Sequence, residues 1–482
     1  MSLLVSQPGG DGGHLPAPQA ISCSNQTCAA RHSPAARFAL PAHPVRAPRK
    51  PPPATDVTIA RVGAEADGIA SLPDGTPLYL PLTLPGERVT AHPIAPRGDG
   101  WHAAADTLLA ASSDRADPPC RHFGACGGCA LQHWHDAPYR AWKAELLTAA
   151  LRAAGFTPPS ITLLPGLPGE RRRLDFALRR AGGRLILGLH GPRAAAVVDL
   201  ADCLVLHPTL LALLARLRAL LRDSRALRRQ GAVLINLLES GPDLLLRTDA
   251  APSLEDRTAL TAFARAHSLP RIAWAHTGAS LDDAETICLL RPPTTVLSGV
   301  TVRPPPGAFL QATAAGERAI VDAVLHALSH LPARARIAEL YAGCGTLTFA
   351  LAAAQAGKWR VASWEGDAPA VTALTQAINQ AGLSGRVTAT RRDLARQMLS
   401  AKELAGFAAV VLDPPHAGAA AQISQIAASG VPIIVYVSCN PATFGRDARA
   451  LCAAGYVLTV ATAIDQFLWS ARLESVCVFR RG

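Results

Sequence analysis

Several cysteines and carboxylates in this chain stand where chain geometry favours chemistry. The apolar run Val431-Pro-Ile-Ile-Val-Tyr-Val437 leads into Ser438-Cys-Asn-Pro441, which reads as a buried strand delivering Cys439 to its carboxyl end. In an open α/β sheet, ligands sit beyond that end of the strands, so Cys439 is a candidate nucleophile. The alternative is packing, because free Cys is among the most buried residue types. Cys452 and Cys477 also lie in apolar sequence and read as inert.

Other strand ends carry matching chemistry. Arg336-Ile-Ala-Glu-Leu-Tyr341 runs into Ala342-Gly343-Cys344-Gly345-Thr346, a strand–Gly-x-Gly–helix unit in which the backbone can approach a ligand at a helix N-terminus. Glu365 ends the next strand, twenty residues past Gly345, where a carboxylate can accept both ribose hydroxyls of a nucleoside. There is no third glycine for a pyrophosphate turn and no Walker lysine, so S-adenosylmethionine fits better than NAD or ATP. Asp393, after a third strand at Val387–Thr390, is placed to meet an adenine amino group. The fourth strand, Phe407–Leu412, ends in Asp413-Pro-Pro415, two prolines that fix an extended loop able to hold a flat base, or simply end a strand. Glu474 opens the last strand, Leu473–Phe479, either as a solvated edge residue or as a base whose pKa burial raises.

Together these residues suit methyl transfer to a carbon that is a poor nucleophile. Uracil C5 does not attack a sulfonium unaided; a thiolate added at C6 turns C5 into an enolate carbon that does. The C5 proton must then leave so that the thiol can be expelled, which needs a carboxylate. Cys439 and Glu474 supply these two parts. A cytosine-C5 enzyme would carry Pro-Cys in the fourth-strand loop, and this loop has none.

A second group of thiols has another character. Cys120-Arg-His-Phe-Gly-Ala-Cys126-Gly-Gly-Cys129 places three cysteines in ten residues, with glycines that let the backbone wrap closely. Cys203, in Asp199-Leu-Ala-Asp-Cys203, is the best candidate for a fourth ligand. Four Cys suit Zn²⁺ or an iron–sulfur cluster; the paired CxxC spacing of zinc sites is missing, which favours [4Fe–4S]. Three unrelated buried cysteines are the plain alternative.

These groups need scaffolds. With 482 residues, 49 % of them apolar, the chain is long enough for about three domains. No apolar run reaches the length of about 18 residues that a membrane helix needs; the leucine-rich Leu206–Leu221 is an amphipathic helix of a soluble domain. The 47 basic and 36 acidic residues give a net charge of +11, which points to a polyanionic partner such as RNA or to a genome that favours arginine. Residues 1–53, rich in Pro, Ala, Gly and Ser, read as a disordered extension, and Cys23 and Cys28 within it read as incidental. No secretory signal is visible, and the eleven scattered cysteines fit a reducing, cytoplasmic compartment. Short strands punctuated by Asp74-Gly75 and Pro85-Gly86 indicate a small antiparallel β-barrel over 54–111. An α+β region follows over 112–300, with a helix at 139–155 and a strand pair at Leu174–Arg180 and Arg184–His190. There the run Glu170-Arg-Arg-Arg173 reads as a solvated face or an RNA contact. From 301 to 482 strands and helices alternate in a Rossmann-like α/β pattern.

At this level the sequence resembles the iron–sulfur RNA (uracil-5-)-methyltransferases, most of all the 23S rRNA branch with an N-terminal TRAM domain. The resemblance spans residue 56 to the end. It rests on Leu84-Pro-Gly-Glu87, Cys120/Cys126/Cys129-Ala-Leu-Gln132, Cys203, Phe309-Leu-Gln311, Glu339-Leu-Tyr-Ala-Gly343, Asp413-Pro-Pro415, Ser438-Cys-Asn-Pro441 and Leu473-Glu-Ser475. It implies a [4Fe–4S] cluster on the four cysteines and methyl-donor contacts from Gln311, Tyr341, Gly343, Glu365 and Asp413. It also implies Cys439 as nucleophile, Glu474 as base, and an RNA substrate without an obligate protein partner. Three positions depart from the usual pattern: Thr313 stands for Asn, His416 for Arg, and Arg472 for His. The rivals are a tRNA enzyme of the same chemistry and a non-catalytic iron–sulfur RNA-binding protein, against which Cys439 and Glu474 argue.

Overall fold

The apolar runs of the C-terminal region form one eight-stranded sheet in the order Val387–Arg391, Arg360–Glu365, Arg336–Leu340, Ala409–Leu412, Ile433–Ser438, Glu474–Arg481, Tyr456–Ile464 and Thr162–Leu164. The first five are mutually parallel, and Glu474–Arg481 runs antiparallel between its neighbours. Helices Ala314–Leu328, Thr346–Gly357 and Ala368–Gln380 bury one face. Helices Asp136–Ala153, Ala420–Ser429 and Pro441–Ala453 bury the other. Strand order reverses at Arg336–Leu340, so the crevice beyond its carboxyl end is where such a sheet takes a ligand.

The computed structural model describes residues 50–482; the extension expected over 1–53, with Cys23 and Cys28, falls almost wholly outside them. Residues 51–482 form one compact unit. Its first sheet has six strands, Thr55–Thr58 through Gly100–Ala110. Thr55–Thr58 pairs with Arg88–Ala91, and three residues on Arg61–Val62 pairs with Gly68–Ile69, so the first segment closes a ring around Ile59, Leu78, Leu80, Val89 and Trp101. One pairing, Leu78↔Trp101 with Tyr79↔His102, is parallel, against the expectation of antiparallel strands throughout. The return strand Gly100–Ala110 gives little sequence signal because its second half is exposed and carries no alternation.

The middle of the chain builds a seven-stranded sheet from Arg173–Ala181, Arg184–His190 and five others, covered on one side by helices Pro208–Arg222 and Leu254–Ala266. Helix Asp136–Ala153 and strand Thr162–Leu164, which precede that sheet in the chain, pack instead with the C-terminal one. The Arg171–Arg173 run is no solvated face. Arg172 is buried, with Nε donating to the Gln311 carbonyl at 3.2 Å and Nη2 to Glu317 at 2.6 Å. Arg171 and Arg173 lie over the rings of Phe467 and Phe309.

Candidate active site

Strand alternation explains which side chains meet. Ile433–Ser438 and Glu474–Arg481 pair Ser438 with Ser475, so the next antiparallel step sets Cys439 beside Glu474. Cys439 continues the parity of Val435 and Val437, and Glu474 that of Val476 and Val478, all in the same core layer. Asp413 continues the parity of Ala409 and Val411, also in that layer. With a side-chain period of two, the thiol and both carboxyls emerge on one face.

Burial governs their ionisation. Burial first, then the nearby Glu474 and Asp413 carboxyls, pushes the Cys439 thiol up to about 12, opposed in part by Arg472. Burial lifts Asp413 to about 7 against a hydrogen bond from Gln311. Burial and Asp413 together raise Glu474 well above the carboxylate range. The Cys439 loop is pinned by Asn440, whose Nδ2 donates to the His416 carbonyl at 3.1 Å while its Oδ1 caps helix Pro441–Ala453. Thr443 Oγ1 donates to the same carbonyl at 3.1 Å. His416 and Arg472, two of the unusual residues, are in contact with each other on opposite loops. Thr313, the third, caps helix Ala314–Leu328 by accepting from Gly316 N at 2.9 Å, a duty Asn performs equally well.

The methyl-donor candidates gather around the turn after Arg336–Leu340. Glu365 Oε2 accepts from Gly343 N and Oε1 from Asp367 N, both at 2.8 Å. Gly343 has φ +56, and a Cβ there would meet nothing within 4 Å, so its face is open for a ligand. Gly345, with φ +104, would place a Cβ 2.6 Å from the Phe349 ring, so only glycine fits. Tyr341 also has positive φ, 64°. Gln311 Nε2 donates to Asp413 Oδ2 at 3.1 Å. Asp393 is exposed and ion-paired with Arg396. Glu339 is fully buried and accepts from Thr348 Oγ1 at 2.5 Å and Ser363 Oγ at 2.6 Å.

Sequence reasoning missed the segment before Glu474. Gln466 is buried and donates to both Glu474 and Gln311. Lys143, fully buried on helix Asp136–Ala153, pairs with Asp465 at 2.8 Å and also contacts the Arg472 carbonyl. Tyr139 OH donates to Asp465 at 2.6 Å and accepts from Trp469 N at 2.8 Å. Nothing local in Asp465–Arg472 signals these contacts, because apart from Glu474 the partners, Gln311, Tyr139 and Lys143, are distant in the chain.

The four remaining candidates, Cys120, Cys126, Cys129 and Cys203, are half-buried free thiols. Among the described residues no group of three or more His, Cys, Asp or Glu stands in metal-binding geometry. The thiols are nonetheless neighbours. Burial above all, with a smaller contribution from the other three thiols, raises Cys129 to about 12. Four thiols are the chemistry a thiolate-bound centre needs, and one of them already accepts a backbone hydrogen bond, Gly128 N donating to Cys126 Sγ at 3.4 Å, but the four are not gathered in the geometry of a ligand set. A Cβ on Gly127 would lie 2.8 Å from the His190 carbonyl. The same loop reaches the active-site segment, since Ala130 N and Leu131 N both donate to the Trp469 carbonyl.

Residues 300–481 match the family described as tRNA (Uracil-5-)-methyltransferase. A Brucella suis protein named an uncharacterized RNA methyltransferase is 40 % identical over 88 % of this chain and 98 % of its own length. The 23S rRNA (uracil(1939)-C(5))-methyltransferase RlmD of Halomonas elongata is 34 % identical over 87 % of this chain and 88 % of its own. A solved structure of a putative transferase from Pyrococcus horikoshii is 14 % identical, with a TM-score of 0.37 over 56 % of this chain and 97 % of its own. The chain belongs to the RNA (uracil-5-)-methyltransferase family. Among the described residues no helix is long and apolar enough to cross a membrane.

Proposed function

We propose that this enzyme methylates uracil C5 in 23S rRNA, using S-adenosylmethionine as methyl donor and a covalent Cys439–C6 adduct. The observation that carries the reading is the register that sets Cys439 beside Glu474, with Asp413-Pro-Pro on the next strand. The thiol loses its proton to solvent, and the thiolate adds to C6 while the C5=C6 electron pair moves toward O4. C5 then takes the methyl group as its bond to the donor sulfonium breaks and S-adenosylhomocysteine leaves. The Glu474 carboxylate removes the C5 proton, the double bond re-forms, and the Cys439 thiolate is expelled. A base with a raised pKa is suited to that proton.

Gln311, Tyr341, Gly343, Glu365 and Asp413 bind the methyl donor in this reading. Glu365 keeps lone pairs for the ribose hydroxyls, and Asp413 with Gln311 faces the reacting end. Cys120, Cys126, Cys129 and Cys203 hold a [4Fe–4S] cluster, which when bound ties the loop of the first three to that of the fourth. The ring over 54–111, as a TRAM-like barrel, the central region over 112–300 and the catalytic region over 301–482 share the RNA, to which the +11 charge contributes. The rRNA target follows the name of the Halomonas relative; a tRNA target is the alternative. Mapping 5-methyluridine in both RNAs of a deletion strain tests the reading. Loss of one rRNA methyl with tRNA unchanged is expected; loss only from tRNA would reassign the substrate, and no loss from either would overturn the reaction.

A further inference from the structure

Gln466, eight residues before Glu474, has every polar atom of its amide engaged although only 4 % of the residue is exposed. Its orientation is fixed by one contact. The Ala312 backbone N–H can only donate, and Gln466 Oε1 accepts it at 3.0 Å. Nε2 must therefore point its two hydrogens at Gln311 Oε1, 2.8 Å away, and at Glu474 Oε2, 2.6 Å away. Gln311 then has its own Nε2 toward Asp413 Oδ2. The result is a row, Asp413–Gln311–Gln466–Glu474, in which donation runs outward from Gln466 in both directions, so that an N–H is aimed at the carboxyl at each end. Within it the two oxygens of Glu474 are unlike. Oε2 is committed to Gln466, whereas Oε1 is buried with no hydrogen-bond partner among the described residues.

We propose that Gln466 is a positioning residue that locks Glu474 by Oε2, leaves Oε1 as the atom that takes the C5 proton, and links this base to the methyl-donor side through Gln311 and Asp413. The inference rests on Glu474 being the base. An unpartnered buried carboxyl oxygen is costly in a finished fold, and here it belongs to the residue that the strand register sets beside Cys439. The groups that face Glu474 are Asp413, the Cys439 thiol, the Gln466 amide and the Ser475 N–H. Only the last two stabilise its ionised form. Removing the Gln466 N–H therefore makes the carboxylate harder to form and frees the side chain to turn.

The test uses the full chain, its RNA substrate and labelled S-adenosylmethionine in single turnovers, comparing wild type with Gln466→Met and Glu474→Gln. Met keeps the volume without donors. In Gln466→Met, formation of the methylated covalent adduct is expected to continue, while release of 5-methyluridine slows about 10- to 100-fold, less than the roughly 10²- to 10⁴-fold loss of a general base itself, because Glu474 is still present. Release requires ionised Glu474, so its rise with pH is expected to move to higher pH. Gln466→Glu, which retains the size and an acceptor for Ala312 N–H but sets an acceptor against Glu474, is expected to shift the profile the same way and serves if the Met variant does not fold. Wild-type release and profile in these variants, or equal loss of adduct formation and release, would overturn the role of Gln466. If Glu474→Gln itself releases product normally, the assignment of the base fails instead.

Discussion

Cys439 and Cys129 are alike in depth and unlike in company. Burial lifts both thiols to about 12, so a raised pKa does not tell a nucleophile from a ligand. Cys439 follows a strand whose side chains are fixed by the core, and its neighbours are carboxyls, Asp413 and Glu474, with Arg472 near enough to favour the thiolate. Cys129 lies on a loop, and its electrostatic neighbours are other thiols, Cys203, Cys126 and Cys120. A thiol among carboxyls has partners for moving a proton; a thiol among thiols has partners for sharing a positive centre. The proposed division of chemistry therefore rests on the surrounding groups and not on the shift.

The largest effect expected separates the two thiols outright. Cys439→Ala should take RNA methylation below detection while leaving iron content and S-adenosylmethionine binding as in wild type; turnover by that variant would remove the covalent mechanism. Glu474→Gln should slow release about 10²- to 10⁴-fold and trap a methylated RNA–protein adduct visible on a denaturing gel. The converse experiment is Cys129→Ser. Anaerobically purified wild type should be brown with about four irons per chain. The variant should lose iron and melt about 5 °C lower, on the order of 4 kcal/mol, because ligand binding to such loops is folding energy. A colourless wild-type protein containing zinc would replace the cluster assignment and leave Cys439 untouched.

A buried carboxyl inside the same fold shows depth without reactivity. Burial raises Glu339 to about 7, though Ser363 and Thr348 hydroxyls hydrogen-bond to it. Its folded pKa exceeds the unfolded value of 4.5, so the fold favours its protonated form. The corresponding stability is complete below about pH 4.5 and is lost as pH rises through 7, amounting to roughly 3 kcal/mol. Glu339→Gln should flatten the fall in melting temperature between pH 5 and 8. An unchanged slope would show that another group carries it.

How far the sequence revealed the site follows from where its parts lie. Cys439, Asp413, Glu365 and Glu474 each end or open a run of apolar residues, so strand period and strand end could be read locally. Gln466 could not be read, because its partners Gln311 and Ala312 are about 155 positions away and no local pattern requires an amide there. Arg172 was misjudged for a related reason. A charge run predicts solvent until tertiary structure brings a carbonyl and Glu317 to it. Helix Asp136–Ala153 was visible as a helix, but its allegiance to the C-terminal sheet is decided by Leu147 and Leu151 meeting the Phe444 and Phe479 layer, which periodicity does not encode.

The smallest effect expected comes from a thiol that shares a strand with Glu474. Cys477 stands three residues along Glu474–Arg481, opposite Tyr436. Its parity is that of Phe479 and not of Val476 and Val478, and it is packed in the layer on the other face of the sheet. Burial alone drives its pKa upward, with no carboxyl, cation or second thiol contributing. It lies deeper than Cys439 and has none of its company. Cys477→Ala should remove one small buried group, lowering the melting temperature by about 1 °C, roughly 1 kcal/mol. Adduct formation, release and iron content should stay as in wild type. A change in release rate larger than the stability loss would mean that the two faces of this strand communicate, and that company across a sheet counts as well as company beside it.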